Sequence, residues 1–180
     1  MKLMSQDFFK KDAVVVAKGL LGKIISYNNC SGVIVETEAY KSDPSSHAYK
    51  ITPRSRIMLE TFGKWYIYFI YGMYFCMNIT TNGDKVGAVL IRAVQPVSGI
   101  DKMKKRRGTD LIHNLCSGPG KLCQAFGISK KMNSKGLNAI KIFEGKKPKK
   151  IVSTSRIGIR EEKPLPWRFY IADSEWVSRK

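Results

Sequence analysis

The chain has 180 residues, 43% of them hydrophobic and 26% charged, values that are typical of a globular protein with a substantial core. No apolar run is long enough to cross a bilayer, which excludes a membrane-spanning helix. The 32 lysines and arginines against 14 acidic residues give a net charge of +18, so we expect a surface that binds polyanions less tightly as salt rises.

The first third of the chain alternates between helical and extended patterns. Apolar spacing over residues 12–21 predicts a helix that ends at Gly22. A strand is predicted over 24–27, followed by an Asn-Asn turn and a second strand over 32–40. Because successive side chains of a strand point to opposite faces, Glu36, Glu38 and Tyr40 should share one face.

A polar loop over residues 41–56, which contains His47, leads into the aromatic stretch Trp65 to Ile79. This stretch holds seven of the nineteen aromatic residues of the chain. Aromatic residues on both sides of a central glycine predict two strands joined by a tight turn at Tyr71-Gly72. Tyr71 would then project from the tip of a hairpin, where a flat apolar group such as a nucleobase could cover it.

The second half is predicted to add one long strand, two short helices and two closing strands. After a turn at Asn82-Gly83-Asp84, residues 86–94 form a strand in which Arg92 is the single charge. Val97, Ile100 and Met103 suit the buried face of a helix with a basic end. The later expectations are a capped loop and short helix over 114–127 with Ser117 as the cap, lysine-rich surface loops over 129–150, and strands over 151–160 and 168–171.

These elements predict one compact α+β domain spanning residues 1–180. Its expected architecture is a largely antiparallel, curved sheet with surrounding helices and a protruding aromatic hairpin. The four cysteines lack CxxC spacing and there are only two histidines, so we expect reduced thiols and no zinc site.

Glu38 and Arg92 are the best candidates for chemistry. An arginine beside a carboxylate keeps it ionised, and such a pair in a cleft can position and deprotonate a water molecule. The alternative is a partly buried ion pair that only sets strand register. Glu36 is a rival for the same role, and Glu36 with Glu38 could hold a divalent metal, but no further ligand supports that reading.

Other candidate residues have equally plausible structural roles. Tyr71 could be an edge-strand tyrosine over the core, and His47 a surface histidine. Asn78 needs hydrogen-bond partners if it is buried, and the backbone could supply them. Residues 118–121 could present amides and an ammonium group to a phosphate, although the P-loop pattern is absent.

Taken together, these segments resemble the alkyladenine (3-methyladenine) DNA glycosylase family. The resemblance spans nearly the whole chain and is strongest where IYGMYFCMN is combined with TEAY and LCSGPGKLCQA. The segments that carry it, in order, are VETEAY (35–40), SSHAY (45–49), TPRSR (52–56), YIYFIYGMYFCMN (66–78), VLIRAVQP (89–96), LCSGPGKLCQAFGI (115–128), SRIGI (155–159) and WRFYIADSEWVS (167–178).

The resemblance implies a monofunctional DNA glycosylase that flips alkylated, and in some members deaminated, purines out of duplex DNA and hydrolyses the glycosidic bond. It implies that Glu38 is the general base, and that Arg92 and the backbone carbonyl of Ile157 share the attacking water with it. The implied base-pocket residues are Tyr40, His47, Tyr68 and Asn78. The implied intercalating and minor-groove residues are Tyr71, Met73 and Tyr74.

Arg54, Arg56, Lys121 and the basic helix at 102–107 are the candidates for contacts to DNA phosphates. We expect no cofactor or metal, double-stranded DNA with damaged purines as the partner, and a monomer that does not associate with membranes. The expected location is intracellular, in the cytoplasm and nucleoid or in the nucleus, depending on the organism.

The sequence departs from the family pattern in the loops on either side of His47, each of which looks about two residues short. The sequence is also compatible with two other functions. A non-catalytic nucleic-acid-binding module would use the same charge and tyrosines for stacking. A helix-hairpin-helix protein would require mostly helical structure.

Overall fold

The computed structural model describes residues 1–47, 49–83, 86–159 and 164–180. It confirms the α+β class: a curled antiparallel sheet is surrounded by short helices. The strands formed by these residues are β1 (Ile24–Tyr27), β2 (Cys30–Tyr40), β3 (Trp65–Ile70), β4 (Tyr74–Thr81), β5 (Gly87–Ser98), β6 (Lys141–Phe143), β7 (Ile151–Thr154) and β8 (Arg168–Ile171). The α-helices are α1 (Ala13–Leu20), α2 (Ile57–Glu60), α3 (Ile100–Arg107) and α4 (Pro119–Phe126).

Strand β2 is the branch point of the sheet. The main path runs β3-β4-β5-β2-β1-β6, while β8 pairs with both β2 and β7. One edge of β2 pairs with β5, and its other edge pairs with β1 in its first part and with β8 over Glu36 to Glu38. The β2–β5 register shifts on both sides of Glu36. The acidic end of β2 is therefore covered by strands on both edges.

Helix α1 begins where the sequence predicts, because Asp12 accepts hydrogen bonds from the backbone N–H groups of Val14 and Val15 at its N-terminus. The helix packs on β2, and the Thr37 hydroxyl donates to the carbonyl of Ala17 over 2.9 Å. Strands β1 and β8 also have the predicted bounds. Local sequence patterns were therefore sufficient to predict these three elements.

The hairpin of β3 and β4 pairs Trp65 with Ile79 and Ile70 with Tyr74. Its outer edge is covered at the base by residues 133–135, since the Asn133 side chain accepts from the Ile67 N–H over 2.9 Å. All four cysteines are free and buried. Burial raises the pKa of the Cys116 thiol to about 12, so it stays protonated at neutral pH.

Several predicted boundaries were wrong. Strand β5 continues to Ser98, so Val97 belongs to a strand, where it is exposed, and not to a helix face. The N-cap of α4 is Gly118 without a side-chain hydrogen bond, so Ser117 does not cap it. Strand β7 ends at Thr154. Arg160, the predicted end of that strand, and Asp84 of the predicted turn lie outside the described residues.

The lysine-rich segment 129–150 is also more than surface loops. It contains β6, which pairs with β1, and it buries Leu137, Ile140 and Ile142 in the core. The Trp65 indole donates to the carbonyl of Ile140 over 3.1 Å. The sequence gives little indication of β6, because a three-residue strand is too short to show alternation of polar and apolar side chains. Its partner β1 is also distant in the chain.

Candidate active site

Glu38 lies on β2, fully buried, and three hydrogen-bond donors are directed at its carboxylate. The Tyr40 hydroxyl donates to Oε2 over 2.9 Å and Arg92 Nη1 donates to the same atom over 3.1 Å. The backbone N–H of Ile157 donates to Oε1 over 2.7 Å. An ionised carboxylate can only accept, so this set of partners suits the charged form.

Arg92 on β5 lies between two carboxylates. Its Nε donates to Glu36 over 3.0 Å while Nη1 reaches Glu38. Burial alone lowers the pKa of the Arg92 guanidinium, but the charges of Glu38 and Glu36 outweigh it, so this pKa is raised. The predicted Glu38–Arg92 pair is therefore present, and Arg92 stays charged.

Glu36, the alternative candidate for the base, accepts more hydrogen bonds than Glu38 does. Its side chain is fully buried and accepts from Arg92, from Arg168 Nε over 2.7 Å and from Ser178. Both of its oxygens are occupied, since the Ser178 N–H donates to Oε2 over 2.6 Å. Among the described residues no group of three or more His, Cys, Asp or Glu side chains could hold a metal ion.

Two adjoining cavities, both lined in part by Tyr68, open beside Glu38. The first, which we call the Arg92 cavity, measures about 470 Å³ and is lined by Arg92, Ile157 and Lys121 together with tyrosines. The second, the His47 cavity, measures about 210 Å³ and contains Asn78 at its wall. Both cavities share Tyr40, Tyr68, Ile70, Tyr71, Ile157 and Gly158. Glu38 is hydrogen-bonded to three residues that line the Arg92 cavity, namely Tyr40, Arg92 and Ile157.

His47 is held by the hydroxyl of Tyr66, 3.0 Å from its Nδ1. This anchor brings the His47 ring against Tyr68, with centroids 4.9 Å apart and ring planes at 70°. The rings of His47 and Tyr68, two of the implied base-pocket residues, are therefore in contact with each other. The contact of Tyr66 with His47 was not predicted from the sequence. Tyr66 is 2% exposed, and nothing in the sequence distinguishes it from the other aromatic residues of β3.

The pKa of His47 is lowered by burial first and then by the nearby charge of Arg54. We expect its ring resonances to titrate with a midpoint below 6.5. Arg54→Ala should raise the midpoint without restoring 6.5, since burial remains. An NMR pH titration measures this, with the His47 signal identified by its loss in His47→Gln. Arg56→Ala is the matched control, and a midpoint at or above 6.5 in the unmodified protein would contradict the burial of the ring.

Asn78 is buried, and its side-chain amide donates to the carbonyl of Tyr66 over 3.2 Å. The backbone partner left open by the sequence is therefore present, and it fixes the amide at the wall of the His47 cavity. Any flat ligand in that cavity would meet a rigid polar group at this position.

Tyr71 occupies the hairpin turn with a positive φ of 53°, which is uncommon for a bulky residue. Its side chain is 82% exposed, and the neighbouring Met73 and Tyr74 are exposed too. The alternative of an edge-strand tyrosine over the core was wrong. A strained, exposed aromatic at a turn adds nothing to the core, which points to a contact outside the chain.

The cations predicted to contact DNA phosphates are all at least partly exposed. Arg54 donates to the carbonyl of Phe69 over 2.8 Å and lies over the Tyr68 ring. Arg56 pairs with Glu60 on the surface. Lys121 donates to Asn114 and lines the Arg92 cavity, which Arg107 of the basic helix α3 also lines.

The chain is similar to known proteins over nearly its whole length. Residues 7–175 match the model of a protein family described as methylpurine-DNA glycosylase (MPG). A relative from Agrobacterium fabrum is 46% identical, covering 97% of this chain and 92% of its own. A relative from Clostridium novyi is 44% identical over all of both chains, and one from Methanoculleus marisnigri is 42% identical over 96% of this chain and 97% of its own. All three carry the name "Putative 3-methyladenine DNA glycosylase".

Proposed function

The chain belongs to the methylpurine-DNA glycosylase family and is a DNA glycosylase, and from this premise we propose that it excises alkylated purines from duplex DNA. One domain, residues 1–180, would act as a monofunctional enzyme that hydrolyses the N-glycosidic bond and leaves an abasic site. Membership of an enzyme family disfavours the non-catalytic binding module, and the strand content disfavours the helix-hairpin-helix alternative.

The observation that carries the proposal is the position of the Glu38 carboxylate. It contacts Arg92 and the Ile157 backbone at the wall of a cavity that tyrosines line. A buried carboxylate paired with a fixed cation, within one hydrogen bond of a ligand-sized cavity, is an arrangement that suits a general base.

The damaged base must leave the helix to reach Glu38, because the glycosidic bond is not accessible within stacked DNA. Tyr71 at the hairpin tip would enter the minor groove and fill the space left by the flipped nucleotide, flanked by Met73 and Tyr74. Extrusion costs a few kcal/mol of unstacking, which stacking on the Tyr71 ring would partly offset.

The flipped purine would stack on Tyr40 and Tyr68 at the junction of the two cavities. Alkylation at N3 or N7 makes the base cationic, and electron-rich tyrosine faces favour a cation. Because His47 contacts Tyr68 in this structure, entry of the base would require the His47 ring to move aside. Asn78 would screen exocyclic groups of the purine.

In the chemical step Glu38 would accept a proton from a water held near Arg92 and the Ile157 backbone. The oxygen of that water bonds to C1′ of the sugar, the C1′–N bond breaks, and its electron pair leaves with the base. An alkylated cationic purine departs as a neutral molecule, so modest catalysis is sufficient. Arg54, Arg56 and Lys121 would contact DNA phosphates and position the duplex without reading its sequence.

The test is mass analysis of the bases freed from duplexes that carry methylated, deaminated or etheno-modified purines. Release of a free methylated purine and an abasic product is expected, and undamaged duplex should stay intact. Borohydride in the same reaction should trap no protein–DNA adduct, because water and not a lysine is the proposed nucleophile. Binding of damaged duplex without release of any base would refute the proposed activity.

A further inference from the structure

Behind the proposed catalytic pair lies a second buried ionic group that the catalytic step does not use. It consists of Glu36, Arg168 and Ser178, and we call it the rear network. Glu36 and Arg168 are 0% and 4% exposed. Glu36 Oε1 accepts from Arg168 Nε over 2.7 Å and from the Ser178 hydroxyl over 2.9 Å. Together with Glu38 and Arg92, the site holds two carboxylates and two guanidinium groups, so its charges balance.

Arg92 connects the rear network to Glu38. Its Nε donates to Glu36 and its Nη1 to Glu38, while Nη2 lies 3.5 Å from the Ser178 hydroxyl. A guanidinium is planar and rigid, so contacts at separate nitrogens determine its orientation. With Nε held by Glu36, Arg92 offers Glu38 a single hydrogen bond.

Without that anchor, the arginine would be free to turn toward Glu38. Arginine and a carboxylate favour a bidentate pair with two parallel hydrogen bonds. Such a pair would add a charged donor to Glu38 Oε1, which here accepts from the neutral N–H of Ile157, and an oxygen bound to a guanidinium is a poorer acceptor for a water proton. The rear network therefore keeps Arg92 in the monodentate position that leaves the carboxylate able to act as a base.

The C-terminal segment 174–179 completes the network from outside the sheet. Ser178 contributes both its N–H and its hydroxyl to Glu36. The carbonyl of Arg179 accepts from Arg168. The Trp176 ring stacks on His113, with centroids 4.1 Å apart, which secures the segment against the body of the protein.

We propose that Glu36, Arg168 and Ser178 are positioning residues that orient Arg92 toward Glu38, and that the C-terminal segment thereby contributes to the active site through Ser178. This inference rests on the proposed function, since it assigns the rear network a role in the same reaction. It predicts a defect in the rate of base release and not in the recognition of damaged DNA.

The variants are Ser178→Ala, which removes one donor to Glu36, and Ser178→Thr, which retains it. Ser174→Ala is the matched control: Ser174 belongs to the same segment and accepts from the Trp176 N–H, without a contact to Glu36. Single-turnover release of a methylated purine, affinity for the damaged duplex and Tm are measured for each. Ser178→Ala should slow release about tenfold with unchanged affinity. Ser178→Thr and Ser174→Ala should match the unmodified protein.

Glu36→Gln should slow release further, by about a hundredfold, since it removes the charge that anchors Arg92. If Glu36→Gln does not fold, the comparison of Ser178→Ala with Ser178→Thr tests the positioning role by itself. A rate for Ser178→Ala equal to that of the unmodified protein would overturn the inference. So would parallel losses of rate, affinity and Tm that Ser178→Thr fails to restore, which would mark a merely structural role. The proposed function itself fails only if the unmodified protein releases no base.

Discussion

Glu38→Gln is expected to reduce the release of methylated purines by about 10²- to 10⁴-fold, which is the usual contribution of a general base. Glutamine has the same shape and still accepts from Arg92, but its amide cannot take a proton from water at neutral pH. Affinity for damaged duplex should be retained, because the tyrosine walls and the hairpin are unchanged. The variant should therefore accumulate as a complex with uncleaved substrate.

Single-turnover kinetics with a methylated duplex measure the loss, and an electrophoretic binding assay measures the retained affinity. Glu60→Gln is the control, because Glu60 is an exposed acidic residue that pairs with Arg56 at the surface. Normal turnover by Glu38→Gln would remove Glu38 as the base. Because Glu36 is saturated by buried donors, a role for it would then require rearrangement of the rear network.

Tyr71→Ser is expected to weaken flipping of the damaged base by about ten- to a hundredfold while Tm stays nearly constant. Stacking of one base on an aromatic side chain contributes about 1–3 kcal/mol, and the serine would forfeit it. The ring is 82% exposed, so its removal takes almost nothing from the core. Substitution at this position should therefore reduce base flipping without lowering Tm.

Fluorescence of a 2-aminopurine placed beside the lesion reports flipping, and thermal unfolding reports stability. Tyr71→Phe is the matched variant, since it keeps the ring and loses only the hydroxyl, and it should flip the base normally. A large fall in Tm for Tyr71→Ser would show that the ring supports the fold. Equal flipping by the serine and phenylalanine variants would exclude intercalation by the ring.

Features encoded by neighbouring residues were predictable. The bounds of β1 and β8 follow from short apolar runs beside turn residues, and the apolar spacing over residues 12–21 predicts α1. The exposure of Tyr71 follows from a glycine between two aromatic runs. The Glu38–Arg92 contact could be inferred because Arg92 is the one charge in an otherwise apolar strand, and such a charge requires a buried partner.

Features that depend on distant pairing were not predictable. Nothing local marks β6, whose partner β1 lies more than a hundred residues away in the chain. The contact of His47 with Tyr68 depends on a hydroxyl of a third residue, Tyr66. The rear network combines residues of β2, β8 and the C-terminal segment, so no spacing in the sequence could have grouped its members.

The sequence by itself determined the chemical inventory: a carboxylate, a matching cation, tyrosines for a flat base, an exposed ring at a turn and a strongly basic surface. Side-chain chemistry and strand alternation are local properties, so they can be read without a fold. Only the tertiary structure decided how Glu36 and Glu38 differ. Both lie on one strand beside the same arginine, but Glu36 is enclosed by donors from β8 and the C-terminal segment, whereas Glu38 lies behind the wall of the cavities. That difference arises from packing between segments far apart in the chain, which no local pattern encodes.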